Sequence, residues 1–157
     1  MPETKTYFAI ILTTAIIALT FAALSITPQS LNAKTKQSDG ILIHITSNIH
    51  TPEHQRKILT ALNLAVTLAD DHNVRIFCDA QGINLLLEEN PSFNLPMLGS
   101  TNQLINQLID KNVPIYASLA SLQAQEYVPE QLQQGIQIAE KSHFFSFPNP
   151  RVITLDY

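Results

Sequence analysis

The sequence predicts an α/β domain whose mostly parallel sheet of five strands is flanked by helices and preceded by one N-terminal apolar helix. Two observations lead to this prediction. One long uncharged apolar run opens the chain, and from Gly40 onward short β-branched runs alternate with amphipathic helical patterns. Such alternation is typical of βαβ units, in which neighbouring strands run parallel. We expect three regions in the 157 residues: the apolar segment at 1–26, a linker at 27–39 and the α/β domain at 40–157.

The apolar run, residues 7–26, reads YFAIILTTAIIALTFAALSI and carries no charge. A helix of about 20 apolar residues spans about 30 Å, the thickness of a bilayer core. We therefore expect a transmembrane helix that anchors the chain in a membrane, with the domain on the extracytoplasmic, periplasmic side. A cleaved signal peptide, which would release an exported domain, stays open because Ala23-Leu24-Ser25 and Leu31-Asn32-Ala33 are similar to cleavage sites. A buried helix of a soluble domain is the third alternative.

The α/β domain divides into five strand-like runs and the helices between them. Thr51, Pro52 and Glu53 predict a helix start, because threonine caps free amides, proline suits the first turn and glutamate favours the positive helix end. We expect that helix to end near His72-Asn73. The expected strands are 41–47, 74–78, 113–117, 136–140 and 152–157; the other expected elements are a short helix at 82–88, a loop at 89–99, a helix at 101–111, a helical turn at 118–125 and a short helix from Pro129.

Composition and charge exclude several classes of function. The net charge is −4 and no basic run is present, which argues against a nucleic-acid partner. Glycine is scarce, at four residues, and no GxGxxG or GxxxxGK phosphate loop occurs, so we predict no cofactor. Cys78 is the single cysteine, and an intrachain disulfide is therefore impossible.

Two runs carry a resemblance to a known family. They are TPEHQRKILTALNLAVTLADDHNVRIFCDAQGINLLLEE at 51–89 and LINQLIDKNVPIYASLASLQAQEYVPEQLQQGIQI at 104–138. With them, residues 41–157 resemble the DsrE/DsrF-like family, which includes the TusBCD sulfur-relay proteins. The resemblance implies a five-stranded α/β fold, assembly into trimers or hexamers, and persulfide transfer where the family's cysteine is present.

The chain departs from that family at the sulfur-carrying site. Ser118 stands at the position of the sulfur-carrying cysteine and Ser121 at the second cysteine, so the resemblance implies a degenerate member that lacks the family cysteines. A persulfide needs a thiolate, which a serine hydroxyl cannot replace. No G-x-S-x-G elbow surrounds Ser118, which favours a helix cap over a hydrolase nucleophile. We therefore predict no catalytic residue at this site.

Cys78 ends the second predicted strand and is the remaining sulfur. Because ligands gather at the carboxyl ends of parallel strands, we expect a pocket at this edge. Its expected residues are Thr46, Ser47, Asn48, Cys78, Asp79 and Ser118. Cys78 is either a sulfur carrier in that pocket or a small buried apolar side chain. Asp79 beside it favours the second interpretation, because a nearby negative charge disfavours the thiolate.

The histidines define no metal site. His50 and His54 are four positions apart, a spacing at which two histidines on one helix can share a metal, and His44 lies on the preceding strand. Because His50 precedes the expected cap at Thr51, the pair need not share one helical face, and no HExxH motif occurs. We therefore predict no bound metal.

The predicted function is that of a membrane-tethered, non-catalytic DsrE-like binding or assembly module. It would act as an accessory subunit of a larger complex or as a small-ligand binder; a sulfurtransferase that uses Cys78 is the alternative. A homo-oligomer, or a place in a protein complex, is expected from the resemblance and from apolar residues after the fourth strand. Those residues are Phe144, Phe145, Phe147, Val152, Ile153 and Leu155.

Overall fold

The structure is a computed structural model that describes residues 39–90, 92–144, 146–148 and 151–157. The predicted apolar segment and nearly all of the predicted linker lie outside these residues. None of the helices in the described ranges has both the length and the apolar character needed to cross a bilayer. The anchor and the signal peptide therefore stay predictions, whereas the α/β domain can be compared with the structure.

A five-stranded parallel sheet confirms the predicted fold class. In chain order the strands are β1 (Gly40–Ile45), β2 (Asn73–Cys78), β3 (Asn94–Leu95), β4 (Gly99–Ser100), β5 (Ile115–Ala117), β6 (Gln137–Ile138) and β7 (Val152–Asp156). The sheet has the spatial order β6-β5-β2-β1-β7, and all four neighbouring pairs are parallel. β3 and β4 form a separate antiparallel pair, three of whose four residues lie in the stretch 89–99 that was predicted as a loop. That loop prediction was wrong for Asn94, Leu95 and Gly99.

Helices connect the strands. The described elements are α1 (Pro52–Leu68), α2 (Thr101–Asp110), α3 (Leu119–Ala124), α4 (Lys141–Phe144) and two 3₁₀ helices, Ala80–Leu86 and Pro129–Gln131. Thr51 caps α1 as predicted, because its hydroxyl accepts a hydrogen bond from the amide of His54 at 3.3 Å. The predicted end of α1 was wrong by one turn. The amides of Asp71 and His72 both donate to the carbonyl of Leu68, in a turn that leads directly into β2.

Several other element boundaries were displaced by one or two residues from their predicted positions. The strand predicted at 113–117 begins at Ile115, because Pro114 has no amide to donate to the ladder. The strand predicted at 41–47 is Gly40–Ile45, and the one at 136–140 is only Gln137–Ile138. The helix predicted at 82–88 is a 3₁₀ helix that begins at Ala80.

The first face of the sheet holds the apolar core. Side chains alternate along a strand, so Ile43, Ile76 and Ile115 share this face. Each of the three is at most 1% exposed. Burying such a side chain stabilises the fold by about 1.5–3 kcal/mol relative to leaving it in water. Cys78 belongs to the same face, because it lies two positions after Ile76.

The second face is contacted by Phe144, Ser146 and Phe147. The ring centroids of Phe144 and Phe77 are 4.7 Å apart. The guanidinium of Arg75 donates hydrogen bonds of 2.8 Å to the carbonyls of Phe144 and Ser146, and lies 4.1 Å from the ring centroid of Phe147. Two of the phenylalanines expected at an oligomer interface therefore contribute to the packing of the domain itself.

Candidate functional site

The carboxyl ends of β1, β2 and β5 meet at one edge of the sheet. Cys78 pairs with Ile45 on one side and with Ala117 on the other. Just beyond the ladder, the amide of Asp79 donates to the carbonyl of Ile45 at 3.0 Å, and the amide of Ser118 donates to the carbonyl of Cys78 at 3.0 Å. The residues that follow β2 and β5, Asp79 and Ser118, are thus brought together at this edge.

Ser118 caps α3. Its hydroxyl oxygen accepts a hydrogen bond from the amide of Ser121 at 3.3 Å, and its backbone is extended, as an N-cap requires. The structure therefore confirms the capping role that the sequence favours for Ser118.

Asp79 joins both serines into one cluster. Its carboxylate accepts hydrogen bonds from the hydroxyl of Ser121, from the amide of Ala80 at 2.8 Å and from the side chain of Ser118. The hydroxyl oxygen of Ser121 also accepts from the amide of Ala80 at 2.9 Å. We call Asp79, Ala80, Ser118 and Ser121 the serine–aspartate cluster.

The hydrogen bonds of the cluster keep Asp79 ionised. Partial burial alone would raise the pKa of its carboxyl group. The hydrogen bonds from Ser121, Ala80 and Ser118, with the nearby His44, outweigh that effect, so the pKa of Asp79 lies below its ordinary value. Both serine hydroxyls consequently have a charged acceptor at neutral pH, and charge-assisted hydrogen bonds of this kind are stronger than neutral ones.

His44 lies beside the cluster without completing a catalytic triad. Its Nδ1 is 2.9 Å from Oδ1 of Asp156 on β7, and its Nε2 is 3.9 Å from Oδ2 of Asp79. Within the described residues, that buried Nε2 has no hydrogen-bond partner. In a Ser-His-Asp triad the imidazole bonds the serine hydroxyl, whereas here the serines donate to a carboxylate instead. Neither serine hydroxyl is therefore hydrogen-bonded to the imidazole of His44.

The side chain of Cys78 lies in the apolar core and takes no part in the hydrogen bonds of the cluster. Its side chain is 0% exposed in the apolar core. Burial, and in second place the negative charge of Asp79, raises the pKa of the Cys78 thiol far above its ordinary value. The thiol therefore stays protonated and out of contact with solvent, which agrees with a small buried apolar side chain.

The structure places the six residues expected to form a pocket in three settings. Asp79 and Ser118 belong to the serine–aspartate cluster, and Cys78 belongs to the core. The other three lie in the turn after β1. The hydroxyl of Thr46 donates to the carbonyl of Tyr157 at 3.3 Å. The side-chain oxygen of Asn48 accepts from the amide of His50 at 3.0 Å, and Ser47 between them is half-buried.

A cavity of about 530 Å³ lies next to the serine–aspartate cluster. Its lining comprises three glutamates, five side-chain amides, one histidine, one tyrosine, Ile49 and Leu87. Gln125 connects the two regions, because its amide nitrogen donates to the carbonyl of Ala80 at 2.7 Å while its oxygen accepts from Asn84 of the cavity wall at 3.1 Å. Sequence patterns gave no signal for this cavity, since its walls come from three separate segments.

The histidines do not meet around a metal. His50 is exposed and lines the cavity, whereas His54 lies in the first turn of α1, where its amide bonds the cap at Thr51. In the part of the chain that the structure describes, no three His, Cys, Asp or Glu side chains form a group that could hold a metal ion.

Comparisons with known proteins bear on the fold. No protein-family model and no curated protein matches the chain. The crystal structure of the ychN protein from E. coli is similar over 75% of this chain and 99% of that chain, with a TM-score of 0.58 and 14% sequence identity. This similarity supports the fold that the sequence resemblance implies. The fold is DsrE-like.

A second solved structure is more distantly similar. It is the protein of unknown function MTH1491 from Methanobacterium thermoautotrophicum, which covers 66% of this chain and 83% of its own, with a TM-score of 0.48 and 17% identity. That similarity is too low to carry weight. At 14% identity the ychN structure shows a shared DsrE-like fold and nothing about activity.

Proposed function

We propose that the domain is a non-catalytic DsrE-like binding module, tethered to a membrane by residues 7–26 and acting as a small-ligand binder or an accessory subunit of a complex. One observation carries this proposal. The hydroxyls of Ser118 and Ser121, at the positions of the family cysteines, are engaged in capping α3 and in hydrogen bonds to Asp79. A sulfur carrier needs an accessible thiolate, which neither these serines nor the buried Cys78 supplies.

The cavity beside the cluster supports the small-ligand form of this proposal. Its volume of about 530 Å³ lies within the range of about 300–1,000 Å³ that is usual for small-molecule sites. Ligands of α/β proteins also bind beyond the carboxyl ends of the strands, which is where this cavity lies.

Sulfur transfer provides the test. The full-length protein is incubated with a polysulfide donor, and its intact mass is measured by mass spectrometry. We expect no added sulfur on the wild type. The paired variant Ser118→Cys/Cys78→Ser, which carries its single thiol at the family position, should gain the mass of one sulfur atom. Sulfur added to Cys78 in the folded wild type, and lost in Cys78→Ser, would refute the non-catalytic proposal.

Membrane tethering and assembly are tested separately. The absence of charge in residues 7–26 supports a retained anchor. The similarity of this segment to an export signal supports a domain on the periplasmic side. Val152 and Ile153 of β7 are 39% and 41% exposed, which supports contact with a partner protein or a second copy. Extraction of the full chain from membranes by high salt, or a mature protein that starts near Ile26 or Lys34, would contradict the anchor. A monomer by light scattering, with no partner co-purified, would contradict assembly.

A further inference from the structure

The glutamates that line the cavity beside the serine–aspartate cluster give its wall a negative charge. Glu88, Glu89 and Glu130 line it, and no lysine or arginine does. Among the described residues, none of these glutamates takes part in an ion pair. A concave surface with several carboxylates of this kind concentrates the field and attracts positive charge.

The same wall argues against phosphate, sulfate or carboxylate ligands. An anion in this cavity would meet three carboxylates and no lysine or arginine among the lining residues. Juxtaposed like charges disfavour binding and so exclude wrong partners. Nucleotides and organic acids are therefore poor candidates.

A single metal ion fits no better. Tight coordination of a metal requires carboxylates that converge on one point at about 2.0–2.6 Å. The glutamates of this cavity form no such group. Carboxylates that share a cavity without converging suit positive charges that are separated along a molecule.

The uncharged residues of the lining suit a hydrocarbon linker between the positive charges of such a ligand. The half-buried Tyr127 adds an aromatic ring, and the largely buried Ile49 and Leu87, 8% and 7% exposed, contribute small apolar areas to the wall. Methylene groups are favourably buried on such a surface, and an ammonium group is attracted to the face of an aromatic ring. The side-chain amides provide oxygen atoms that accept the remaining N–H donors.

We propose that this cavity binds a linear organic polycation of the polyamine class, with its ammonium groups at Glu88, Glu89 and Glu130 and its methylene chain along Ile49, Leu87 and Tyr127. The proposal rests on the proposed function, because it names the ligand class of the binding module. It assigns no role to Cys78 or to the serines.

Calorimetry with spermidine tests the proposal. The full-length chain, in a mild nonionic detergent, is titrated at about 20 mM and about 150 mM NaCl, since screening of exposed charges grows with ionic strength. The double variant Glu88→Gln/Glu130→Gln keeps the shape of the side chains and removes two charges. Its matched control, Asp110→Asn/Glu126→Gln, changes the net charge equally at exposed residues outside the cavity lining.

We expect the cavity variant to bind spermidine about tenfold more weakly than the wild type, and the control to bind within about twofold of it, since each exposed ion pair contributes a factor of a few. Binding should weaken at the higher salt concentration. Magnesium chloride at equal ionic strength should give no saturable heat.

Three outcomes would overturn the polycation site. They are no saturable binding of spermidine, equal weakening in the cavity variant and the control, and saturable binding of a neutral sugar that competes with spermidine. An intact-mass measurement on the same preparation keeps the two proposals distinct. Added sulfur on Cys78 would overturn the non-catalytic function and leave the calorimetric result standing.

Discussion

The serine–aspartate cluster and the neighbouring cavity are both polar, yet their polar groups are partnered differently. In the cluster, the carboxylate of Asp79 accepts hydrogen bonds from Ser121, Ala80 and Ser118. In the cavity, Glu88, Glu89 and Glu130 have no ion pair among the described residues. Groups whose hydrogen bonds are made inside the protein hold the fold together, whereas charges without a protein partner are available to a ligand.

The two serines of the cluster have a structural role. They connect the end of β2 to the start of α3, through the backbone bond from Ser118 to Cys78 and the hydroxyl bond from Ser121 to Asp79. Substitutions in the cluster should therefore change stability, and substitutions in the cavity should change binding.

The largest expected effect comes from Gly82→Ala, which would disturb both regions. A Cβ atom on Gly82 would overlap the backbone carbonyl of Ile45, and backbone cannot move aside as a side chain can. The 3₁₀ helix that follows Asp79 and lines the cavity would have to shift. We expect the free energy of unfolding to fall by about 3 kcal/mol or more, measured by urea denaturation.

Gly99→Ala is the matched control. Its Cβ position meets only the side-chain oxygen of Gln103 at 3.8 Å, an ordinary contact, but its φ of +79° is one that an L side chain adopts with strain. We expect it to lose about 1 kcal/mol. Because Gly82 does not have a positive φ, a loss at Gly82 no larger than that at Gly99 would mean that the backbone of Ile45 moves aside at little cost.

A smaller effect is expected for Asp79→Ala, which removes the centre of the cluster alone. The loss of the cap at Ala80 and of the acceptor for Ser121 should lower the free energy of unfolding by about 2 kcal/mol at pH 7. Chemical denaturation measures it, and spermidine binding in the cavity should persist.

The pH dependence of Asp79 has a defined sign. Because the pKa of Asp79 is lower in the folded than in the unfolded chain, its contribution is fully present above the unfolded value near 3.8 and is lost as pH falls through the folded value. The wild type should therefore lose more stability than Asp79→Ala between pH 5 and about pH 2. Parallel curves for the two proteins over that range would argue against an ionised Asp79 as the hydrogen-bond acceptor.

Cys78→Ser should cost about 1 kcal/mol, because it places a hydroxyl among apolar side chains. Cys78→Ala, which removes the sulfur without adding a polar group, is the control for volume. In the wild type, iodoacetamide should modify Cys78 only as fast as the domain unfolds, which mass spectrometry follows. Rapid modification at low denaturant concentration would show that the Cys78 thiol is accessible in the folded domain. That result would contradict its burial in the apolar core.

The smallest effect is expected for Glu89→Gln in the cavity wall. Glu89 is exposed and has no ion pair in the described ranges. The free energy of unfolding of the variant should therefore stay within about 0.5 kcal/mol of the wild-type value. Thermal or urea denaturation measures this. A larger loss would place Glu89 among the residues that hold the fold, and the contrast between the two regions would weaken.

Local features of this fold were predictable from the sequence. Thr51 and Ser118 cap helices as expected, because capping depends on residues within one turn of each other. The burial of Cys78 follows from its place at the end of an apolar β-branched strand. The strand ends were less predictable, because apolar residues such as Ile136 and Ala139 flank the strand Gln137–Ile138 and extend the apparent run.

Contacts between distant segments were not predictable. Nothing in the strand pattern indicates that β7 pairs with β1, so the contact between His44 and Asp156 could not be foreseen. The cavity combines segments 49–50, 81–90 and 125–131, and their convergence is a product of the strand order. The glutamates there have no periodicity, because a ligand-binding wall need not follow the repeat of a helix or strand.

The pairing of β7 with β1 also governs the order in which the domain can form. His44 and Asp156 are 112 positions apart, so this edge closes only after a very long loop has been ordered. Until then, the outer edge of β1 presents unpaired amides and carbonyls, a template for strands of other molecules. Refolding at high concentration should thus be limited by competition between β7 and neighbouring chains for the same strand edge.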